Sequence, residues 1–166
     1  MVVNSELKQF FKTRSQIITF LRRFLTQRDF LEVETPILNA QAGGALARPF
    51  LTRSDTLKQN LELRIAPELY LKQLIIGGFE RVFELGRVFR NEGIDGTHNP
   101  EFTSLEFYMA YADYLDMAAL TEEMLKELSK ELFNGKEKVM IPQFDINQKT
   151  GDAPQKILEI DFSKPF

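Results

Sequence analysis

At 166 residues and 43% hydrophobic content, the chain can bury an ordinary core and make one domain. Its formal charge of -3 offers no overall attraction to nucleic acid, so any such contact must be local. The absence of cysteine excludes disulfides, thiolate zinc sites and a cysteine nucleophile.

No apolar run is long enough to span a bilayer, and Lys8, Lys12 and Arg14 interrupt the first apolar segment, where a secretory signal would need continuity. A soluble, cytoplasmic chain with no membrane partner is therefore expected. Residues 5–28 predict an amphipathic helix, with Leu7, Phe10, Phe11, Ile17, Ile18, Leu21, Phe24 and Leu25 recurring at helical spacing and Ser5 able to cap its start. Its basic residues suit a solvated face better than a nucleic-acid stripe, because few aromatics interleave them.

A strand is predicted over 30–33, ended or bent at Thr35-Pro36, since proline has no amide hydrogen for a ladder. The loop 41–45 holds Gly43 and Gly44, which serve either a plain turn or a close backbone approach to a ligand. No lysine-serine pair follows at P-loop spacing. Residues 61–66 alternate as a strand, and Pro67 then fits the first turn of a helix reaching Ile76 and closed by Gly77-Gly78. Glu62 and Glu68 are acidic candidates, although a carboxylate in a first turn also suits the helix dipole.

The stretch 83–111 organises the chain. Runs over 81–91 and 102–112 alternate in character and are joined by a polar loop with two glycines and Asn99-Pro100, which predicts a hairpin. Counting every second residue, Phe83, Leu85 and Phe89 fall opposite Glu84, Gly86, Val88 and Arg90. Likewise Leu105, Phe107, Met109 and Tyr111 oppose Phe102, Ser104, Glu106, Tyr108 and Ala110. Such a charged face serves either solvation or a ligand that is both anionic and cationic. A second amphipathic helix is predicted over 114–133, using Leu115, Ala118, Ala119, Met124, Leu125, Leu128 and Leu132 and ended by Asn134-Gly135. Two strands over 138–141 and 157–162 flank a polar loop over 147–155. This order predicts an α+β fold with a mainly antiparallel sheet flanked by helices, and no GxGxxG accompanies it. With His98 as the only histidine, no two-histidine metal site can be built within the chain.

FLEVETP at 30–36, RIAPELYLK at 64–72, and FRNEG followed by HNPEFT between 89 and 103 resemble the class II lysyl-tRNA synthetases. The first looks like motif 1 of that class and the hairpin like motif 2. AGGALARPF at 42–50 and EFYMAYAD at 106–113 point to the lysine branch of the family. The resemblance implies a two-step reaction, in which lysine and ATP form lysyl-adenylate and the lysyl group passes to tRNA(Lys). Catalysis in such enzymes is mainly positioning and charge stabilisation. Arg90 would bridge the substrate carboxylate and the α-phosphate, using its planar fork of donors. Glu92, His98, Asn99 and Phe102 would hold ATP, with Phe102 stacked on adenine. Glu68 and the Gly44 backbone would take the α-amino group of lysine, and Glu106 with Tyr108 would receive its ε-ammonium.

The resemblance also implies magnesium with ATP and a homodimer through motif 1. On it, residues 1–166 are expected to be a single partial catalytic domain, with motif 1 over about 5–36 and the motif 2 hairpin over 81–112. The family's anticodon-binding OB-fold, its motif 3 and its magnesium ligands are expected to lie outside this sequence, and no protein metal ligand is expected within it. Weak or absent activity of the chain alone is the corresponding expectation. The alternative is a catalytically silent dimerisation or binding module built on the same elements.

Overall fold

The computed structural model describes residues 5–132, 138–143 and 156–161, with side chains described over 7–132. The chain divides into two compact units, one built from residues 1–29, 112–143 and 154–166 and the other from residues 30–111 and 144–153.

In the first unit, α1 (Ser5–Thr26) packs against α3 (Tyr114–Leu132). Phe20, Phe24 and Leu25 of α1 are buried, as are Met124 and Ser129 of α3. Arg28 ties the pair together: its guanidinium lies 3.5 Å from the Phe24 ring centroid and donates to Glu123 at 2.8 Å and Glu127 at 3.0 Å. The predicted apolar face of the first helix is buried only towards its C-terminal end. Leu7, Phe10 and Phe11 are 37%, 63% and 49% exposed, and Leu115 of α3 is exposed as well. Periodicity marked a greasy stripe but not what covers it. Two further strands, β7 (Lys138–Gln143) and β8 (Lys156–Asp161), pair antiparallel, close to the predicted bounds. The expected helix stop at Asn134-Gly135, the loop over 147–155 and the strand end at Phe162 lie outside the described residues.

The second unit carries two small sheets and a helix. One sheet has the order β1-β5-β6, where β1 (Leu31–Glu32) runs parallel to β5 (Arg81–Phe89) and β5 pairs antiparallel with β6 (Glu101–Met109). The other has the order β2-β4-β3, with β2 (Leu38–Asn39) and β3 (Leu51–Ser54) both antiparallel to β4 (Gln59–Leu63). Between them in sequence, α2 (Glu68–Ile76) follows Pro67 at its N-cap and ends at Gly77, and Gly78 turns the chain at φ 100°. The α+β class with mainly antiparallel pairing is as expected, β1 against β5 being the parallel pair among the described strands.

Three local expectations need correction. The strand read over 61–66 runs instead from Gln59 to Leu63, because Arg64 leaves the ladder: its amide donates to the Ile37 carbonyl and its carbonyl accepts from Phe89. The strands β2 and β3 carry too little alternation to announce themselves, and tertiary pairing defines them. Tyr111, assigned to the greasy face, lies beyond β6 with φ 59° and is 98% exposed. The hairpin register is as the alternation predicts. Glu84 faces Glu106, Gly86 faces Ser104 and Val88 faces Phe102, so these six side-chain positions share one face. Among the described residues, no helix is long and apolar enough to cross a membrane.

Candidate functional site

The site builds up from three pieces of the second unit: the hairpin β5-β6, the start of α2 and the loop over 41–45. Arg90 sits one residue past β5, where its amide donates to the Pro100 carbonyl at 2.8 Å and closes the mouth of the hairpin. Its Nε donates to the Ile65 carbonyl at 3.3 Å, and its guanidinium lies 5.1 Å from the Phe102 ring centroid. The cation is thus held over an aromatic face, an arrangement that leaves its remaining donors for an anion.

Beyond it opens a concavity of about 270 Å³ lined by Arg90, Glu92, Gly93, Thr97, His98, Asn99 and Phe102. All five residues assigned to ATP by resemblance line this one space. The loop that forms its far side is organised by Asp95. Its Oδ1 accepts from the amides of Thr97 at 2.7 Å and His98 at 2.8 Å, and the Thr97 hydroxyl lies 2.9 Å away. The Asp95 carboxylate is also 2.9 Å from His98 Nδ1. These donors, the Thr97 amide foremost and then the His98 ring, hold the Asp95 carboxyl down at about 2. With Nδ1 engaged, Nε2 is the ring nitrogen His98 can offer to a ligand.

Deeper along the same face of the hairpin, the Tyr108 hydroxyl donates to Glu106 Oε2 at 3.2 Å. Burial pushes the Glu106 carboxyl above its ordinary range; the Tyr108 hydrogen bond and the Arg90 charge oppose that rise, and the charges of Glu68 and Glu84 add to it. Burial likewise pushes the Tyr108 hydroxyl up, helped by Glu106 and Glu68. Of the carboxylates involved, Glu84 is paired with Arg64 and Glu68 with Lys72, whereas among the described residues Glu106 is in no ion pair and feels the Arg90 charge only from a distance.

Glu68 opens α2 and pairs with Lys72 one turn on. Gly44 stands against it: at φ 88° it adopts a backbone conformation that favours glycine, and a Cβ there would lie 2.9 Å from Glu68 Cβ. The loop is pinned from behind by Glu62, whose Oε2 accepts from the Ala42 amide at 2.6 Å. Gly44 and Glu68, some two dozen residues apart in sequence, are thereby brought together.

The sequence reading passed over a buried group on this same face. Arg64 and Glu84 form an ion pair whose side chains are 4% and 5% exposed. Arg64 also donates from Nε to the Arg87 carbonyl at 2.8 Å and from Nη1 to the Thr35 carbonyl at 3.2 Å and hydroxyl at 3.1 Å. Thr35 in turn donates its hydroxyl to Glu84 Oε2 at 2.6 Å and its amide to the same oxygen at 3.2 Å. The signal was available: Glu84 is a charge in a strand whose neighbours Val82, Phe83 and Val88 are all buried. Among the described residues, no group of three or more His, Cys, Asp or Glu side chains could hold a metal ion.

The family described as tRNA synthetases class II (D, K and N) matches residues 1–166. A probable cytoplasmic lysine-tRNA ligase of Vairimorpha ceranae is 53% identical over 166 residues, covering 100% of this chain and 31% of the relative. A lysine-tRNA ligase of Nostoc punctiforme is 60% identical over 132 residues, 80% of this chain and 24% of its own length. One from Prochlorococcus marinus is 51% identical over 166 residues, 100% of this chain and 30% of the relative. The chain thus spans at most 31% of the length of these three relatives. Matched along its whole length by the family and at least half identical to these relatives, the chain belongs to the class II tRNA synthetases of the D, K and N group.

Proposed function

We propose that residues 1–166 form a motif 1 and motif 2 portion of the catalytic domain of a lysine-tRNA ligase, working in the cytoplasm as its relative from Vairimorpha ceranae is named. Lysine and ATP are the substrates that this portion binds, and tRNA(Lys) is the acceptor of the whole enzyme. The observation that carries the reading is Glu106: a half-buried carboxyl pushed up by its burial, hydrogen-bonded by Tyr108 and, among the described residues, in no ion pair of its own. An ε-ammonium supplies the missing cation, whereas a neutral or acidic side chain would leave that carboxylate unpaired. At the other end of the substrate, Glu68 exchanges its exposed Lys72 partner for the α-amino group beside Gly44.

In the first step the lysine carboxylate attacks the α-phosphorus of ATP and pyrophosphate leaves. No side-chain nucleophile is required. Arg90 neutralises both reacting anions, and its hydrogen bond to Ile65 together with the Phe102 face holds the guanidinium ready for them. Glu92, His98, Asn99 and Phe102 hold ATP in the concavity they line with Arg90. Magnesium accompanies ATP in the reaction the resemblance implies. The described residues offer no cluster of His, Cys, Asp or Glu that fits it.

ATP-pyrophosphate exchange on this polypeptide with added lysine tests the reading. Weak exchange that depends on lysine is the expected result, because a partial pocket preorganises only part of the transition state. Exchange that depends on another amino acid, or lysine and ATP that fail to bind in calorimetry, would overturn it. A second reading is favoured by Leu7, Phe10 and Phe11, exposed along one end of α1: a homodimer through the motif 1 helix that serves as a catalytically silent module. A dimer by light scattering that binds neither substrate would select it.

A further inference from the structure

The ion pair of Arg64 and Glu84 is assigned no part in holding lysine or ATP, yet Glu84 lies directly across the hairpin from Glu106 and the pair sits where several site residues are set. Arg64 is an unusual residue to bury, and every polar atom it and Glu84 present is met: among the described residues, no buried side-chain nitrogen or oxygen lacks a hydrogen-bond partner. Its side chain joins two separate segments, through the Thr35 carbonyl and hydroxyl after β1 and through Glu84 and the Arg87 carbonyl on β5. Its backbone joins two more places, since its amide donates to Ile37 and its carbonyl accepts from the Phe89 amide at 3.0 Å. The next carbonyl along, that of Ile65, is the acceptor for Arg90 Nε, and three residues further α2 opens with Glu68.

Room for this arrangement comes from Gly86. A Cβ at that position would stand 2.5 Å from Arg64 Nη2 and 3.3 Å from Glu84 Oε1, so any larger residue displaces the guanidinium. The glycine on the site-facing row of β5 is therefore explained by the arginine packed over it, with no appeal to a ligand.

We propose that Arg64 and Glu84, clamped with Thr35 and given space by Gly86, are positioning residues that set the Ile65 carbonyl and thereby the direction of Arg90. The inference rests on the reading of Arg90 as the anion-binding residue for its purpose, but its geometry can be tested without substrate. The Glu84 charge is also felt at Glu106, so the pair bears on the far end of the same face.

The test follows the Arg90 Nε proton by nitrogen-15 NMR of the arginine side chains in the whole chain. Slow exchange with water is expected in the parent, as the hydrogen bond to Ile65 requires. Gly86→Ala, which removes no charge, and the milder Thr35→Val are each expected to speed that exchange at least tenfold while the Val82 and Phe83 amides keep their rates. Unchanged Arg90 exchange in either folded variant overturns the proposal. So does equal acceleration of the Val82 and Phe83 amides, which would mark a merely structural role. A parent chain with a protected Arg90 Nε that bound neither lysine nor ATP would still support the positioning role and would count against the reading of the site.

Discussion

Replacing Glu106 by glutamine keeps the side chain's shape and its capacity to accept the Tyr108 hydroxyl, bonded at 3.2 Å, but removes the charge that an ε-ammonium needs. A hydrogen bond to a charged group contributes about 1.5–3 kcal/mol. At about 1.4 kcal/mol per decade, lysine should bind Glu106→Gln roughly 10- to 150-fold more weakly than the parent. On the proposed assignment ATP is held by Arg90, Phe102 and the loop carrying His98; of these Arg90 bears on Glu106, so ATP affinity should fall far less than that for lysine. Isothermal titration of each substrate separately measures both numbers. Equal losses for lysine and ATP would refute the assignment of Glu106 to the ammonium.

The acid dependence follows with a definite sign. Lysine binding needs the carboxylate, and burial raises the Glu106 carboxyl, so affinity should fall with decreasing pH sooner than an ordinary glutamate would dictate. Glu106→Gln should flatten that dependence. For the unliganded fold the direction is opposite: a raised group contributes stability that is fully present below its unfolded value and is lost as pH rises through the folded one. A bound ammonium relieves that penalty, which is why lysine should protect the fold most at neutral pH.

Arg64→Met should cost about 3–5 kcal/mol, because it leaves Glu84 buried without its partner; urea denaturation read on the β5 amides should show the double variant with Glu84→Gln more stable than the sum of the two losses, and simple additivity would contradict the pairing. Asp95 is held down from the ordinary 3.8 to about 2, so its contribution to the loop is present above the ordinary value and is lost as pH falls from there through about 2. The Thr97 and His98 amide shifts should report that transition by NMR, and Asp95→Asn should abolish it. If the chain dimerises through α1, Phe10→Glu should convert dimer to monomer in light scattering, while moving monomer stability by less than about 0.5 kcal/mol because Phe10 is 63% exposed. A dimer that survives the change removes α1 from the interface.

Much of the hairpin was legible because its two strands largely alternate in character, and with a period of two the same division of faces runs along each strand. Arg81 pairs with Met109 and Phe89 with Glu101, so the rows deduced by counting are the rows that form. The end of β4 was less legible. Arg64 reads as one more alternating residue, and only its bonds to Ile37, Phe89 and Thr35 show that the chain has left the ladder to cross under the hairpin. The two-residue strands β1 and β2 owe their existence to neighbours far along the chain, Val82 and Phe83 for one, Leu63 and Glu62 for the other. The uncovered end of α1 was equally beyond reach, since a periodic apolar stripe looks the same whether or not something covers it.

By itself the sequence determined the α+β class, the two faces of the hairpin and the motifs that mark a class II tRNA synthetase, because periodicity and local motifs are properties of consecutive residues. Tertiary structure alone decided that Gly44 lies against Glu68, that Arg90 leans on Phe102 while bonded to Ile65, and that a buried arginine and glutamate pair on the face that carries Glu106. Those juxtapositions join residues about 12 to 25 positions apart. Nothing in local periodicity encodes them, and only the closure of strands and helices into one packed unit brings the charges within reach of each other.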